Sequence, residues 1–153
     1  MNAMEVLEVA KTMETDGIEF YSRAAESADT ESAGKLLEEL AGWEKNHFEY
    51  FEKLQEAVKK ADSFNPDNEA MKYLDYFVKY AVFSPEKDLA KKARSLDTTG
   101  VLSYAIGMEK DSVCYYLGVK ASLKTEQAKE TVEEIINEEM SHITILSEEL
   151  SKV

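Results

Sequence analysis

Four glutamates stand in the middle of apolar helical stripes, and a chain that buries four carboxylates in one core must supply something to hold them there. The first stripe is Ala3, Leu7, Ala10, Glu14, Gly17, Tyr21, Ala24 and Ala28, spaced by threes and fours as one face of a helix requires. The second runs Ala33, Leu37, Leu40, Glu44, His47, Phe51, Leu54 and Val58. Leu102, Ala105, Glu109, Ser112, Tyr116, Val119 and Leu123 make a third, and Ala128, Val132, Ile135, Glu139, His142, Leu146 and Val153 a fourth. Glu44 and Glu139 each open a Glu-x-x-His run. Residues three apart on a helix share a face, so each run aims a carboxylate and an imidazole at one point.

The two halves repeat. Glu14 and Glu44 recur ninety-five positions on as Glu109 and Glu139, and Met13 and Tyr21 recur as Met108 and Tyr116. Each tyrosine follows its leading glutamate by seven residues, about two turns, and so lies on the same face. Asp29 and Thr30 read as a turn and cap, which puts Glu14 and Glu44 fifteen residues to either side of position 29. In an antiparallel hairpin they then lie at one level, about 22 Å from the turn. A turn at Lys124, with Thr125 capping the last helix, places Glu109 and Glu139 in the same way. Two hairpins, residues 3–61 and 99–153, predict an all-α four-helix bundle with pseudo-twofold symmetry. Four glutamates and two histidines share one of its layers.

Residues 62–98 are too many for a tight connection. A bundle helix of about thirty residues is roughly 45 Å long, so a crossover returning to the other end needs a segment of this size. Within it, Asn65-Pro66-Asp67-Asn68 is a turn signal, Glu69 to Phe83 reads as an aromatic-rich helix, and Ser84-Pro85 caps another. The cluster Tyr73, Tyr76, Phe77 and Tyr80 is expected to pack against the bundle or to form a dimer contact. With this partly helical crossover, residues 1–153 read as a single domain.

The 153 residues are enough to bury a core without covalent staples. A single cysteine, Cys114, excludes an intrachain disulfide and any four-cysteine metal site, and suits a reducing cytosol. It reads as a small buried hydrophobe. The start, Met1 to Glu5, has neither a basic flank nor an apolar run of signal length, and nothing later approaches a membrane span. The expectation is a soluble, cytoplasmic protein. A net charge of −13 argues against nucleic acid as partner, because phosphates would be repelled, and makes metal cations the natural counter-ions.

Buried carboxylates either raise their pKa values or recruit cations, and two divalent ions cancel four negative charges. Carboxylate oxygens with imidazole nitrogens suit iron or manganese better than calcium, which disfavours histidine, or structural zinc, which prefers thiolates. The candidate ligands are Glu14, Glu44, His47, Glu109, Glu139 and His142, a set that uses both histidines of the chain. Tyr21 and Tyr116 are candidates to donate hydrogen bonds to ligand carboxylates, the alternative being ordinary core aromatics. Glu138 reads by default as a solvated glutamate, with orienting a histidine across the bundle as its alternative. Trp43, at the matching position of the other half, offers no polar equivalent.

With Glu14, Glu44-x-x-His47, Glu109 and Glu139-x-x-His142 set beside the segments Met13 to Tyr21 and Met108 to Tyr116, the chain resembles the ferritin-like di-iron carboxylate proteins, and rubrerythrin most of all. The resemblance covers both hairpins. It implies a ferritin-like bundle holding two iron ions, manganese or zinc being the alternatives, with Glu44 and Glu139 bridging, Glu14 and His47 completing one iron, and Glu109 and His142 the other. It also implies an oxidoreductase of oxidative-stress chemistry that reduces peroxide or dioxygen with electrons from a separate donor. Ferroxidation with iron storage or delivery is the alternative within the family, and a non-catalytic metal-binding bundle the alternative outside it. Two departures stand out. One cysteine cannot build the four-cysteine rubredoxin-like module, and Ser112 stands where rubrerythrin has a further glutamate tied to redox-linked movement of one iron.

Overall fold

A computed structural model describes residues 1–60, 64, 69–80 and 88–153. Six helices follow one another, α1 (Ala3–Glu26), α2 (Glu31–Lys60), α3 (Glu69–Tyr80), α4 (Leu89–Ser95), α5 (Thr98–Ser122) and α6 (Glu126–Leu150). Each long helix begins where its sequence supplies a cap for the otherwise unpaired first amides. Asn2 accepts from the Glu5 amide while Glu5 reaches back to the Asn2 amide, a closed capping box. Thr30 accepts from the Ala33 amide, Asp97 from Gly100 and Thr125 from Ala128.

The strongest pairings are α1 with α2 and α5 with α6, so the chain forms two hairpins, the turns falling near residues 29 and 124. The described ends of the crossover lie at the two different turns. At its start Phe64 is buried and pairs its backbone with Leu123 beside the second turn. At its end the Thr98 hydroxyl donates to Asp29 beside the first turn, 2.8 Å away. In between, α3 packs on α5 and α4 on α1. The expected turn at 65–68, the residues 81–83 given to the aromatic helix, and the cap at Ser84-Pro85 lie outside the described residues, as does Ala61 at the expected end of the first hairpin.

Because α3 covers α5 from outside while α1 and α6 cover it from within, α5 is buried on more than one face. Gly118 makes the α3 contact possible: a Cβ there would sit 2.7 Å from Leu74 Cδ2 and 2.8 Å from Tyr73 Cδ1. Gly118→Ala gains about 1 kcal/mol of helix propensity but overpacks this contact, which costs about 1–3 kcal/mol. The expected outcome is a net loss of stability in urea unfolding together with faster amide exchange in α3. Unchanged exchange there would mean that α3 is not seated on Gly118.

On α3 itself, Met71 and Leu74 are buried and Phe77 tilts against Tyr115 with ring centroids 5.5 Å apart. Tyr76 and Tyr80 point outward, 62% and 71% exposed, so packing on the bundle accounts for only part of the aromatic cluster. Cys114 is exposed, which corrects its reading as a buried hydrophobe. Two residues make about 200° of helix, so with Ser112, Tyr116 and Val119 turned inward the thiol falls on the outer surface of α5. Among the described residues, no helix is long and apolar enough to cross a membrane.

The apolar core is divided in two. One cluster is built around Leu7, Phe51, Leu74, Tyr115 and Val132, and the other around Phe20, Leu37, Leu40, Leu102 and Leu146. Between them in the chain order of every long helix lie the buried polar side chains Glu14, Glu44, His47, Glu109, Glu139 and His142.

Candidate metal centre

Each long helix brings its mid-stripe glutamate inward at the same height, and α2 and α6 add a histidine one turn on. None of the six residues is more than 4% exposed. They form two overlapping groups, Glu14, Glu44, His47 and Glu139 on one side and Glu44, Glu109, Glu139 and His142 on the other, with the donor atoms of each group within 4.8 Å of one another. Glu44 and Glu139 belong to both. Glu139 lies between the imidazoles, its Oε1 3.2 Å from His47 Nδ1 and its Oε2 2.9 Å from His142 Nδ1. Glu14 Oε2 is 3.6 Å from His47 Nδ1, and Glu109 Oε1 is 3.6 Å from His142 Nδ1.

These approaches lack hydrogen-bond geometry. Among the described residues, seven buried side-chain N and O atoms have no hydrogen-bond partner in the protein, and all seven belong to this set. They are Glu14 Oε2, Glu44 Oε1, Glu109 Oε2, both Glu139 oxygens and the two Nδ1 atoms. Buried polar atoms normally find partners, since each orphan is destabilising by about 1–3 kcal/mol. Orphans that converge from four helices fit a cation pair, which would satisfy all of them at once. The donor set of hard carboxylate oxygens and imidazole nitrogens suits iron or manganese.

Without cations the layer must hold protons instead. Burial pushes the Glu44 carboxyl well above the usual range, with repulsion from Glu14 adding to it, and burial raises Glu14. Glu109 is raised to about 8 by burial and then by the Glu139 charge. Glu139 goes the other way: burial opposes its charge, but the two imidazoles facing it win and hold it down at about 2. The imidazoles respond in kind. Burial disfavours their positive charge, yet Glu139 and Glu14 lift His47 to about 11, and Glu109 and Glu139 lift His142 to about 9. In the metal-free protein one carboxylate is therefore held ionised between two rings held toward their imidazolium forms, while burial pushes Glu44, Glu109 and Glu14 toward their neutral forms.

The hydroxyl of Tyr21 donates to Glu109 Oε1 and that of Tyr116 to Glu14 Oε1, each bond crossing from one hairpin to the other. Both rings are fully buried, and burial together with the nearby carboxylates raises both hydroxyls well above their usual range, so they remain donors at neutral pH. Each therefore orients the outer glutamate of the opposite half. Tyr21→Phe or Tyr116→Phe is expected to weaken metal binding about ten- to a hundredfold in a competitive chelator titration. Unchanged affinity would reduce the tyrosines to core packing. Gly17 and Ser112 occupy equivalent positions three residues on from Glu14 and Glu109. At Gly17 a Cβ would lie 2.9 Å from Glu44 Oε2, so the absent side chain is what leaves that carboxylate its place.

Of two further neighbours of the layer, the sequence offered a role for Glu138 only as an alternative and none for Trp43. Glu138 is 59% exposed, but its Oε2 lies 2.6 Å from His47 Nε2, which corrects its default reading as a solvated glutamate. Trp43 stacks on His142 with centroids 5.0 Å apart and planes 13° from parallel, and His142 in turn stacks on His47 at 5.8 Å. The available signal was position: both residues immediately precede the glutamate of a Glu-x-x-His run.

Comparison with known proteins agrees with this geometry. A crystal structure of a candidate ferritin-like diiron-carboxylate protein from Thermotoga maritima superposes with a TM-score of 0.73 at 28% identity, over 97% of this chain and 93% of that one. No curated protein matches the chain. The ferritin-like domain family matches residues 2–152, and the chain belongs to that family.

Proposed function

We propose that the six-residue layer holds two iron ions and that the protein is an oxidoreductase, passing electrons from a separate donor to hydrogen peroxide or dioxygen. The observation that carries this reading is the set of seven orphaned donor atoms, shared between two overlapping groups through Glu44 and Glu139. A pair of ferrous ions supplies two electrons and a Lewis-acidic clamp for both oxygens of such a substrate. The chain's own residues do the rest. Glu44 and Glu139, which belong to both donor groups, would be shared by the two ions. Tyr21 and Tyr116 fix Glu109 and Glu14, and the two apolar clusters keep bulk water from the layer. Manganese shares the same donor preference, and metal analysis of the protein isolated without added metal separates the two.

Anaerobic protein loaded with two equivalents of ferrous iron and mixed with peroxide tests the reading. The expected result is iron oxidation far faster than in a Glu44→Ala, Glu139→Ala variant, followed by repeated turnover when a reductant is supplied. Equal rates in the two proteins would overturn it. Oxidation without re-reduction, accompanied by accumulation of many irons per chain, would favour storage instead.

A further inference from the structure

We infer that the two halves of the metal centre are inequivalent: Glu138 makes the Glu14 and His47 half the first to take up a divalent cation, and Trp43 leaves the Glu109 and His142 half second. The inference rests on the two-metal reading above. Its starting point is a break in the repeat. The six candidate ligands and the two tyrosines are duplicated ninety-five positions on, Glu14 as Glu109, Tyr21 as Tyr116, Glu44 as Glu139 and His47 as His142. The pair that stands behind the imidazoles is not, for position 43 is tryptophan where position 138 is glutamate.

The difference falls on the outer edge of each ring. A carboxylate 2.6 Å from His47 Nε2 accepts the Nε2 proton and keeps it there, so the proton that a cation displaces is the one on Nδ1, the nitrogen facing the point where the carboxylates of Glu14, Glu44 and Glu139 converge. A histidine held in this way is a more basic ligand, and the carboxylate adds negative charge on that side of the centre. His142 has the indole face of Trp43 against its own, which holds the plane of the ring but brings neither an acceptor nor a charge. Both Nδ1 atoms lack a hydrogen-bond partner, so both halves are open to a cation, but among the described residues only His47 has a carboxylate at its outer nitrogen. The first ion therefore settles at Glu14 and His47, and the second follows against the repulsion of the first.

The chain carries only two histidines and one tryptophan, which makes the order directly observable. Protein with 15N-labelled imidazoles shows two sets of ring resonances, and Trp43→Phe identifies the His142 set through the altered ring current. Zinc, a closed-shell probe with the same taste for imidazole, is then titrated to two equivalents. In the wild type the His47 resonances are expected to shift through the first equivalent and those of His142 through the second. In Glu138→Gln, a change at a mostly exposed side chain, the first equivalent is expected to divide between the two rings. The first dissociation constant should rise about ten- to a hundredfold, with the second moving much less. Both wild-type rings shifting in parallel, His142 responding first, or Glu138→Gln retaining the wild-type order would each overturn the inference. If neither ring responds to two equivalents, the two-metal reading falls with it; uptake of two ions without an order overturns the inference alone.

Discussion

Glu139→Ala is expected to remove two-metal binding and to destabilise the metal-free protein as well, whereas Glu44→Ala removes the binding with a much smaller loss of stability. The two glutamates occupy equivalent places in the repeat, yet their electrostatic situations are opposite. Glu139 is ionised between the two imidazoles, 3.2 and 2.9 Å from their Nδ1 atoms, and is the charge that makes their protonation tolerable. Taking it away removes the carboxylate that both buried rings share and leaves His47 only Glu138 at its outer edge, and removing one partner of such a buried cluster destabilises by about 3–5 kcal/mol. Glu44 is a buried carboxyl pushed toward its neutral form, so its removal loses packing while relieving an unfavourable burial. Urea unfolding of the chelator-treated variants, paired with metal counts by mass spectrometry, measures both quantities. Equal destabilisation by the two substitutions would contradict the charge assignment.

The second large effect is on pH. Glu109 rises from 4.5 to about 8 in the folded protein, so the stability it contributes is complete below pH 4.5 and is lost as pH climbs through 8. His142 and His47, raised from 6.5 to about 9 and about 11, have the same sign, their contribution being complete below pH 6.5 and lost above. Glu139, depressed to about 2, has the opposite sign, but its window lies below pH 4.5. The metal-free protein is therefore expected to lose stability steadily from pH 5 to pH 9. A bound cation needs those same protons gone, so binding releases them, and affinity gains about tenfold per pH unit for each proton displaced. Manganous ion should raise Tm more at pH 8 than at pH 6, and calorimetry at pH 7 in buffers of different ionisation enthalpy should show release of more than one proton. A pH-independent Tm rise would mean that the six side chains are not the ligands.

How much of this was legible before the structure follows from what periodicity contains. Spacing along a helix determines which side chains share a face, and the ninety-five-residue repeat set two hairpins in register, so the bundle and its polar layer could be read from Glu14, Glu44, Glu109 and Glu139 with their histidines. The hydroxyls of Tyr21 and Tyr116 pointed the same way. Spacing says nothing of the gap between helices, however, and that gap decides what Glu138 does. Its carboxylate leaves α6 on the wet side yet reaches His47 on α2, a contact that exists only at the distance these two helices adopt. Cys114 failed because its reading rested on residue type alone, free cysteines being mostly buried, whereas α3 closes over Gly118 and leaves the thiol outside. The outward tyrosines Tyr76 and Tyr80 belong to the same short helix, whose Met71 and Leu74 already meet its packing needs.

The central claim is that four helices bring these side chains to one height in order to share two cations through Glu44 and Glu139. Anomalous scattering from crystals loaded with ferrous iron under anaerobic conditions, collected at the iron edge, tests it most directly. The account predicts two peaks about 3.5–4 Å apart, one beside Glu14 and His47 and one beside Glu109 and His142, with the carboxylates of Glu44 and Glu139 between them. A single peak, or iron held elsewhere while the six side chains stay as they are, would contradict it.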